Sequence, residues 1–219
     1  MKKLSKWYLI GFMWISLGVL LELPWLVAVD RFGADVFRLD VAQEVSEGIF
    51  AMSRIGSIGF LAVMSLAISG LLLYHRELKK FLWFGFSMAM AGGLAPLIMK
   101  LAFRRPRPTD GLMTRSGYSF PSGHTMGTLA LYGLIIILAS DYVRKTWMRN
   151  VVIAVSTLII LVISWTRIHL GVHFLSDIMG SHLLGLSLLM TLAELRKLKI
   201  IPHLLNVRAQ GCYLAEKEM

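Results

Sequence analysis

The sequence is short of charge and almost free of cysteine. Only 16% of its 219 residues are Asp, Glu, Lys or Arg, whereas an ordinary soluble domain carries about a quarter. A chain of this size with so little charge cannot cover a soluble core, and it lacks the polarity of a disordered chain. A single cysteine, Cys212, excludes an internal disulfide and a metal site built from several cysteines.

Apolar residues take the place of the missing charge. They make up 56% of the chain, and the mean hydropathy is +0.66. Because a helix needs about 20 apolar residues to cross a bilayer core, the pattern predicts an all-α polytopic membrane protein, a bundle of six transmembrane helices. The predicted spans are Trp7–Val29, Ile55–Tyr74, Phe81–Met99, Ser122–Ser140, Val151–Trp165 and Ile178–Leu195.

The charge that is present is mostly positive. Lys and Arg number 23 against 13 Asp and Glu, a formal net charge of +10. In a membrane protein this excess lies in cytoplasmic loops and beside anionic headgroups, so the expected partner is the lipid bilayer and not nucleic acid. Fourteen of the 23 fall on the side that holds both termini, which predicts cytoplasmic termini in a plasma-membrane protein. The nine others need a further explanation.

The predicted organisation is a membrane domain over residues 1–196 followed by a polar cytoplasmic tail over residues 197–219. After the first span, apolar residues from Val36 to Phe50 recur at near-helical spacing among charged ones. This pattern predicts an amphipathic helix lying along the interface. The helix would serve either as a cap over the bundle or as a substrate gate.

Three polar clusters interrupt the apolar pattern, and the predicted topology places all three at the outer face. They are Lys100–Pro108, Pro121–His124 and Arg167–Asp177. Lys100, Arg107 and Arg167 supply three cations, and the guanidinium fork of arginine suits phosphate oxygens. Ser122 and Gly123 open a predicted helix, so their backbone N–H groups could face an anion.

The histidines in these clusters have different surroundings. His173 and Asp177 are four residues apart and share a face if a helix has begun there. A carboxylate on one ring nitrogen fixes the tautomer and leaves the other nitrogen as a nucleophile. His124 lies on a different helix, from which it could protonate a leaving oxygen as a general acid.

In this order the clusters resemble a known family signature. K-x6-R-P, P-S-G-H and R-x5-H-x3-D resemble the three motifs of the type 2 phosphatidic acid phosphatase family, and the similar region runs from about residue 55 to 195. One departure is Thr166, where the family usually has serine. Relatives often have tyrosine at the position of His169, whose role is left open.

The resemblance implies a phosphoric monoester or lipid pyrophosphate hydrolase that acts without metal or other cofactor. It implies a phosphohistidine at His173, with Asp177 as its partner and His124 as the acid. The expected partner is a membrane lipid phosphate. Phosphatidylglycerophosphate or phosphatidic acid and undecaprenyl pyrophosphate are alternatives, and the outward-facing site mildly favours the pyrophosphate.

Other readings of the sequence stay open beside this one. A lipid carrier or translocase would use the anion site without hydrolysis, and a vanadate-dependent haloperoxidase belongs to the same superfamily. Arg104 and Arg105 would contact either substrate phosphate or lipid headgroups. Arg115 is interpreted as an ordinary loop residue, and Glu22, inside the first predicted span, as a structural residue.

Overall fold

A computed structural model describes residues 2–113 and 115–197. Within these ranges every regular element is a helix, which confirms the all-α prediction. The α-helices are α1 (Lys2–Leu20), α2 (Pro24–Phe37), α3 (Gln43–Ser53), α4 (Ile58–Tyr74), α5 (Leu78–Ser87), α6 (Ala95–Phe103), α7 (Gly123–Tyr142), α8 (Thr146–His169) and α9 (Leu175–Lys197). Residues 198–219, nearly all of the predicted tail, lie outside the described part.

The first predicted span is not one helix. α1 ends at Leu20, α2 begins at Pro24, and the two axes meet at 96°. Glu22 in the break has a positive φ of 48°, and Pro24 occupies the first turn of α2. Proline is favoured at a helix start because its missing N–H has no partner there in any case. The prediction over Trp7–Val29 is therefore corrected to two helices with a sharp bend.

The predicted amphipathic helix is also divided. α2 ends at Phe37 and α3 begins at Gln43, with a non-helical connection over residues 38–42. Val36 thus belongs to α2, whereas Ile49 belongs to α3, where it is buried. The apolar spacing in this segment reflects two separate helix faces.

In the described part of the chain, four helical stretches are long and apolar enough to cross a membrane, or up to six if each bent pair counts as one span. They are Leu78–Phe103, Gly123–Tyr142, Thr146–His169 and Leu175–Lys197; the bent pairs are α1 with α2 and α3 with α4. The first stretch includes a π-helical turn, Met88–Leu94, between α5 and α6. The chain is a multi-pass membrane protein.

α7 lies at the centre of the bundle and α1 packs along α9. Ten residues of α7 are buried, including Leu131 and Leu134 with no exposed surface. α1 is joined to α9 by the Ser5 hydroxyl, which lies 2.8 Å from the Thr191 hydroxyl and donates to the Ser187 carbonyl at 3.0 Å. Small hydroxyl residues at such an interface let two helices approach closely in an apolar environment.

The two ends of the bundle differ. At one end, the C-terminal ends of α6 and α8 meet the N-terminal ends of α7 and α9, and here the three polar clusters lie. At the other end, where α1 begins, four charged residues form what we call the far-end cluster. Its members are Glu77, Lys80, Asp141 and Arg196.

Candidate active site

The fold brings the three polar clusters together at one end of the bundle. Lys100 is within electrostatic range of Arg107 and Asp177. His124 is within the same range of Arg167 and His173. Residues that lie far apart in the sequence therefore share one site, because four helices end or begin there.

The His173 ring is held from both sides. Its Nδ1 lies 3.2 Å from Asp177 Oδ2, and its Nε2 lies 3.1 Å from Arg107 Nη1. A carboxylate only accepts hydrogen bonds and a guanidinium only donates them. The proton therefore sits on Nδ1, and the Nε2 lone pair points towards Arg107.

Burial keeps this ring neutral. Loss of solvent around His173, opposed by the hydrogen bond to Asp177, lowers the pKa of His173 to about 4. Asp177 also accepts the Phe174 N–H at 3.0 Å, the bond that a residue in the first turn of α9 makes to its cap. A neutral histidine with an oriented lone pair can act as a nucleophile near neutral pH.

Two arginines supply positive charge at this end of the bundle. Arg107 donates to the Val172 carbonyl at 2.8 Å and to the Gly117 carbonyl at 3.1 Å, and burial and nearby Arg115 lower its pKa against the pull of Asp177. Arg167 is only 1% exposed, and its Nε and Nη1 have no hydrogen-bond partner within the described chain. Buried donors without a partner are costly, so an anion is the natural complement of Arg167.

Lys100 approaches the site from α6. Its Nζ donates to the Tyr118 carbonyl at 2.6 Å and lies 3.4 Å from the Ser119 carbonyl. A Cβ added to Gly123 would lie 3.8 Å from Lys100 Cε. The lysine therefore reaches the start of α7, next to the glycine predicted to bind phosphate.

Ser122 caps α7 and is itself tied to α9. Its hydroxyl accepts the Thr125 N–H at 3.4 Å, and its own N–H donates to Ser181 Oγ at 2.8 Å. The Ser122 N–H thus has a partner within the protein, and phosphate binding by Ser122 stays a prediction. Phosphate binding by the Gly123 backbone stays a prediction.

Arg104 and Arg105 have different environments although they are neighbours. Arg104 follows α6 with a positive φ of 47°, and its Nε donates to the Leu101 carbonyl at 3.2 Å. The Arg105 guanidinium is held by Asp30 and Asp177, at 2.6 Å and 2.7 Å. Arg105 thus pairs with two carboxylates of the protein, and its contact with substrate phosphate or lipid headgroups stays a prediction.

His169 lies within the third cluster and Thr166 directly precedes it, and both side chains are buried. His169 Nδ1 accepts the Leu39 N–H at 3.2 Å, and its ring lies against Trp165. The Thr166 hydroxyl donates to the Ile163 carbonyl at 2.7 Å. Both side chains thus have structural contacts. Glu22 is exposed in the break between α1 and α2.

Sequence reasoning missed Asp30, Ser176 and Ser181, and it treated Arg115 as an ordinary loop residue. Arg115 lies within electrostatic range of Arg107 and Arg167. A signal for Asp30 was present, since Leu26, Asp30 and Gly33 recur at helical spacing and form the buried face of α2. Among the residues that the structure describes, His, Cys, Asp and Glu form no group of three placed to hold a metal ion.

The family model of the PAP2 superfamily matches residues 80–200. The chain belongs to this superfamily. Phosphatidylglycerophosphatase B of Bacillus subtilis (strain 168) is 28% identical over 178 residues, which cover 78% of this chain and 75% of that relative. The predicted resemblance is therefore confirmed, and with it the prediction of a phosphoric monoester hydrolase.

Two solved structures share the PAP2 fold with this chain. The transmembrane PAP2-type phosphatidylglycerolphosphate phosphatase from Bacillus subtilis matches with a TM-score of 0.77 and 22% identity, over 90% of this chain and 96% of the other. Aquifex aeolicus LpxE matches with a TM-score of 0.58 and 18% identity, over 78% and 96%. These similarities establish the fold of the PAP2 bundle described above.

Proposed function

We propose that this protein removes phosphate from a membrane lipid through a phosphohistidine at His173. One observation carries the proposal: the Nε2 lone pair of a buried, neutral His173 points towards Arg107, while Asp177 holds the opposite nitrogen. The buried, unpartnered nitrogens of Arg167 support an anionic substrate at the same end of the bundle.

In the proposed first step, Nε2 forms a bond to phosphorus while the bond from phosphorus to the lipid oxygen breaks. His124 gives a proton to the leaving oxygen, and Asp177 stabilises the positive charge that the ring acquires. Lys100, Arg107 and Arg167 hold the non-bridging oxygens, where negative charge is concentrated in the transition state. The Gly123 backbone adds a donor at the start of α7.

In the second step, water attacks phosphorus and the P–N bond breaks. His124, now neutral, takes the proton of the attacking water, so both catalytic histidines return to their starting states. Inorganic phosphate leaves, and the step requires no metal or oxidant.

The substrate is proposed to be a lipid with a terminal phosphate, and two lipids compete. Phosphatidylglycerophosphate is favoured by the similarity to a protein named phosphatidylglycerophosphatase B. Undecaprenyl pyrophosphate is favoured by the predicted outer location of the site.

The proposed cytoplasmic position of both termini can be tested by labelling cysteines placed at Asp110 and Arg144, after Cys212→Ser, with an impermeant reagent.

The test of function is phosphate release by the purified protein from each lipid in mixed micelles containing a chelator. We expect turnover of at least one lipid, loss of turnover in His173→Ala, and an acid-labile phosphoprotein after a rapid quench. Binding of lipid phosphate without turnover would favour a carrier, and full activity of His173→Ala would overturn the mechanism. The ratio of kcat/KM for the two lipids decides the substrate.

A further inference from the structure

Arg105 connects two buried carboxylates that belong to different helices. Its Nη1 donates to Asp177 Oδ1 at 2.7 Å, and its Nη2 donates to Asp30 Oδ2 at 2.6 Å. The three side chains are 14%, 0% and 7% exposed for Arg105, Asp177 and Asp30. The guanidinium plane also lies over the Phe174 ring, 4.2 Å from its centre. The geometry is therefore fixed by packing as well as by charge.

Both carboxylate oxygens of Asp30 have a partner in this arrangement. While Oδ2 accepts from Arg105, Oδ1 accepts the Ser176 N–H at 2.8 Å. Ser176 lies in the first turn of α9, where backbone N–H groups lack partners within their own helix. Asp30 thus holds the start of the helix that carries Asp177, and it does so from α2, outside the three motif clusters.

The charges form an alternating row that ends at the proposed nucleophile. The row runs from Asp30 through Arg105 and Asp177 to His173. With Asp30 ionised, one of the two carboxylates balances the guanidinium, and the row keeps one net negative charge beside the histidine ring. Without the charge of Asp30, Arg105 would be balanced by Asp177 alone, and the ring would lose most of that negative potential.

We propose that Asp30 is a positioning residue that acts through Arg105 to keep the negative charge of Asp177 available to His173. The inference rests on the proposed phosphohistidine, because that intermediate puts a positive charge on the ring that Asp177 must stabilise. Asp30 would then lower the barrier of the chemical step and leave substrate binding largely unchanged.

Asp30→Asn removes the charge and keeps the size of the side chain. We expect kcat to fall by about 10- to 100-fold while KM changes less than about threefold, the pattern of an interaction made only in the transition state. The matched control is Asp35→Asn, the same change at an exposed position of α2, and we expect it to retain wild-type kcat.

The acid limb of the pH profile gives a second readout. The charged groups around His173 are Asp177 from α9, Arg107 and Lys100 from the first cluster, and His124 from α7. Because none of these changes in Asp30→Asn, loss of the distant negative charge should move the acid limb of kcat/KM to lower pH. Asp30→Glu keeps the charge and should leave the limb in place.

The double variant Asp30→Asn/Arg105→Gln removes both charges of the outer pair. It should turn over at least as fast as Arg105→Gln alone, since Asp30 acts through Arg105 and the single variant leaves two buried carboxylates without a cation. A double variant slower than Arg105→Gln alone would overturn the proposal, even if Asp30→Asn alone does not fold, because Asp30 would then act without Arg105. Wild-type kcat in Asp30→Asn would also overturn it, while loss of activity in His173→Ala would leave the proposed function intact.

Discussion

The two ends of the bundle contain the same kinds of charged residue, but these residues differ in their exposure to water. In the far-end cluster, Lys80 pairs with Glu77 and lies over the Tyr142 ring, and Arg196 pairs with Asp141 and lies over the Trp83 ring. The side chains of this cluster are 21–38% exposed, so water shares in balancing every charge.

At the site end, the charged side chains of Arg167 and Arg105 are more buried, so water does less to balance their charge. Arg167 is 1% exposed and retains two nitrogens without a hydrogen-bond partner in the described chain, while Arg105 is enclosed by two carboxylates. A protein tolerates such donors where an external group completes them. The number of charged residues therefore does not indicate where an anion binds, whereas buried donors without a hydrogen-bond partner do.

The largest effect should come from removing the proposed nucleophile. His173→Ala should lower kcat by at least about 10³-fold, because no other group can take over the covalent step. Phosphate release from the lipid substrate measures the loss. The control at the opposite end is His75→Ala, an exposed histidine that should retain full activity; similar losses in both variants would break the comparison of the two ends.

Replacing a buried arginine should have the next largest effect. Arg167→Lys keeps the charge but loses the fork that presents two donors to phosphate oxygens, so kcat/KM should fall by about 10²-fold. Arg196→Lys in the far-end cluster should stay within about twofold, because exposed pairs contribute little. An Arg167→Lys enzyme with unchanged kcat/KM would mean that these nitrogens do not meet the substrate.

The close approach of two backbone segments, at Gly171 and Gly111, allows a further test. Gly171, with φ +65°, lies so near Gly111 that an added Cβ would come within 2.3 Å of Gly111 Cα. Gly171→Ala should displace the loop that carries Arg107 and lower kcat/KM by roughly tenfold, through strain and collision together. Gly117 also has a positive φ, +80°, but open space around it. Gly117→Ala should therefore cost less than about threefold; equal losses would assign the effect to strain alone.

The pH profile tests the burial of His173, the proposed nucleophile, directly. With the pKa of His173 lowered to about 4 by loss of solvent, the neutral form persists as pH falls and is lost only below that value. The His173 ionisation should therefore halve kcat/KM at about pH 4, whereas an ordinary histidine would do so near pH 6.5. A half-point near 6.5 that moves on mutation of Asp177 would contradict the buried, neutral ring.

The smallest effect is expected in the far-end cluster itself. Asp141→Asn removes the partner of Arg196 and a neighbour of Lys80 at 3.9 Å. Turnover should be unchanged, and the thermal midpoint in detergent should fall by no more than about 2–4 °C, as for a partly exposed ion pair. A loss of turnover without a loss of stability would show that this end communicates with the site.

Spacing along the chain predicted the local parts of this molecule well. His173 and Asp177 are four residues apart, and their side chains meet at 3.2 Å because a helix begins between them. The long apolar runs predicted α7, α8 and α9, whose positions depend mainly on burial. The break at Glu22 was not predicted, because hydropathy measures how apolar a segment is and carries no information about the direction of the helix.

Contacts between residues far apart in the sequence were not predicted, for a different reason. The charge of Arg105 was visible in the sequence, but Asp30 lies 75 residues away on α2, and only tertiary packing brings the two together. Likewise Ser181 satisfies the Ser122 N–H from a helix 59 residues further on. Residue types predict which groups need a hydrogen-bond or ion-pair partner, whereas the tertiary structure determines which residue that partner is.

The pairing of α1 with α9 has a consequence for how the protein is made. Ser5 meets Ser187 across 182 positions, so the first helix enters the bilayer long before its neighbour has been synthesised. Asp30 and Arg105 are likewise synthesised before Ser176 and Asp177, their partners at the start of α9. Assembly of the proposed reactive centre is therefore among the last events of biogenesis, and chains released from the ribosome before α8 is made would carry Lys100 and Arg107 without the proposed nucleophile.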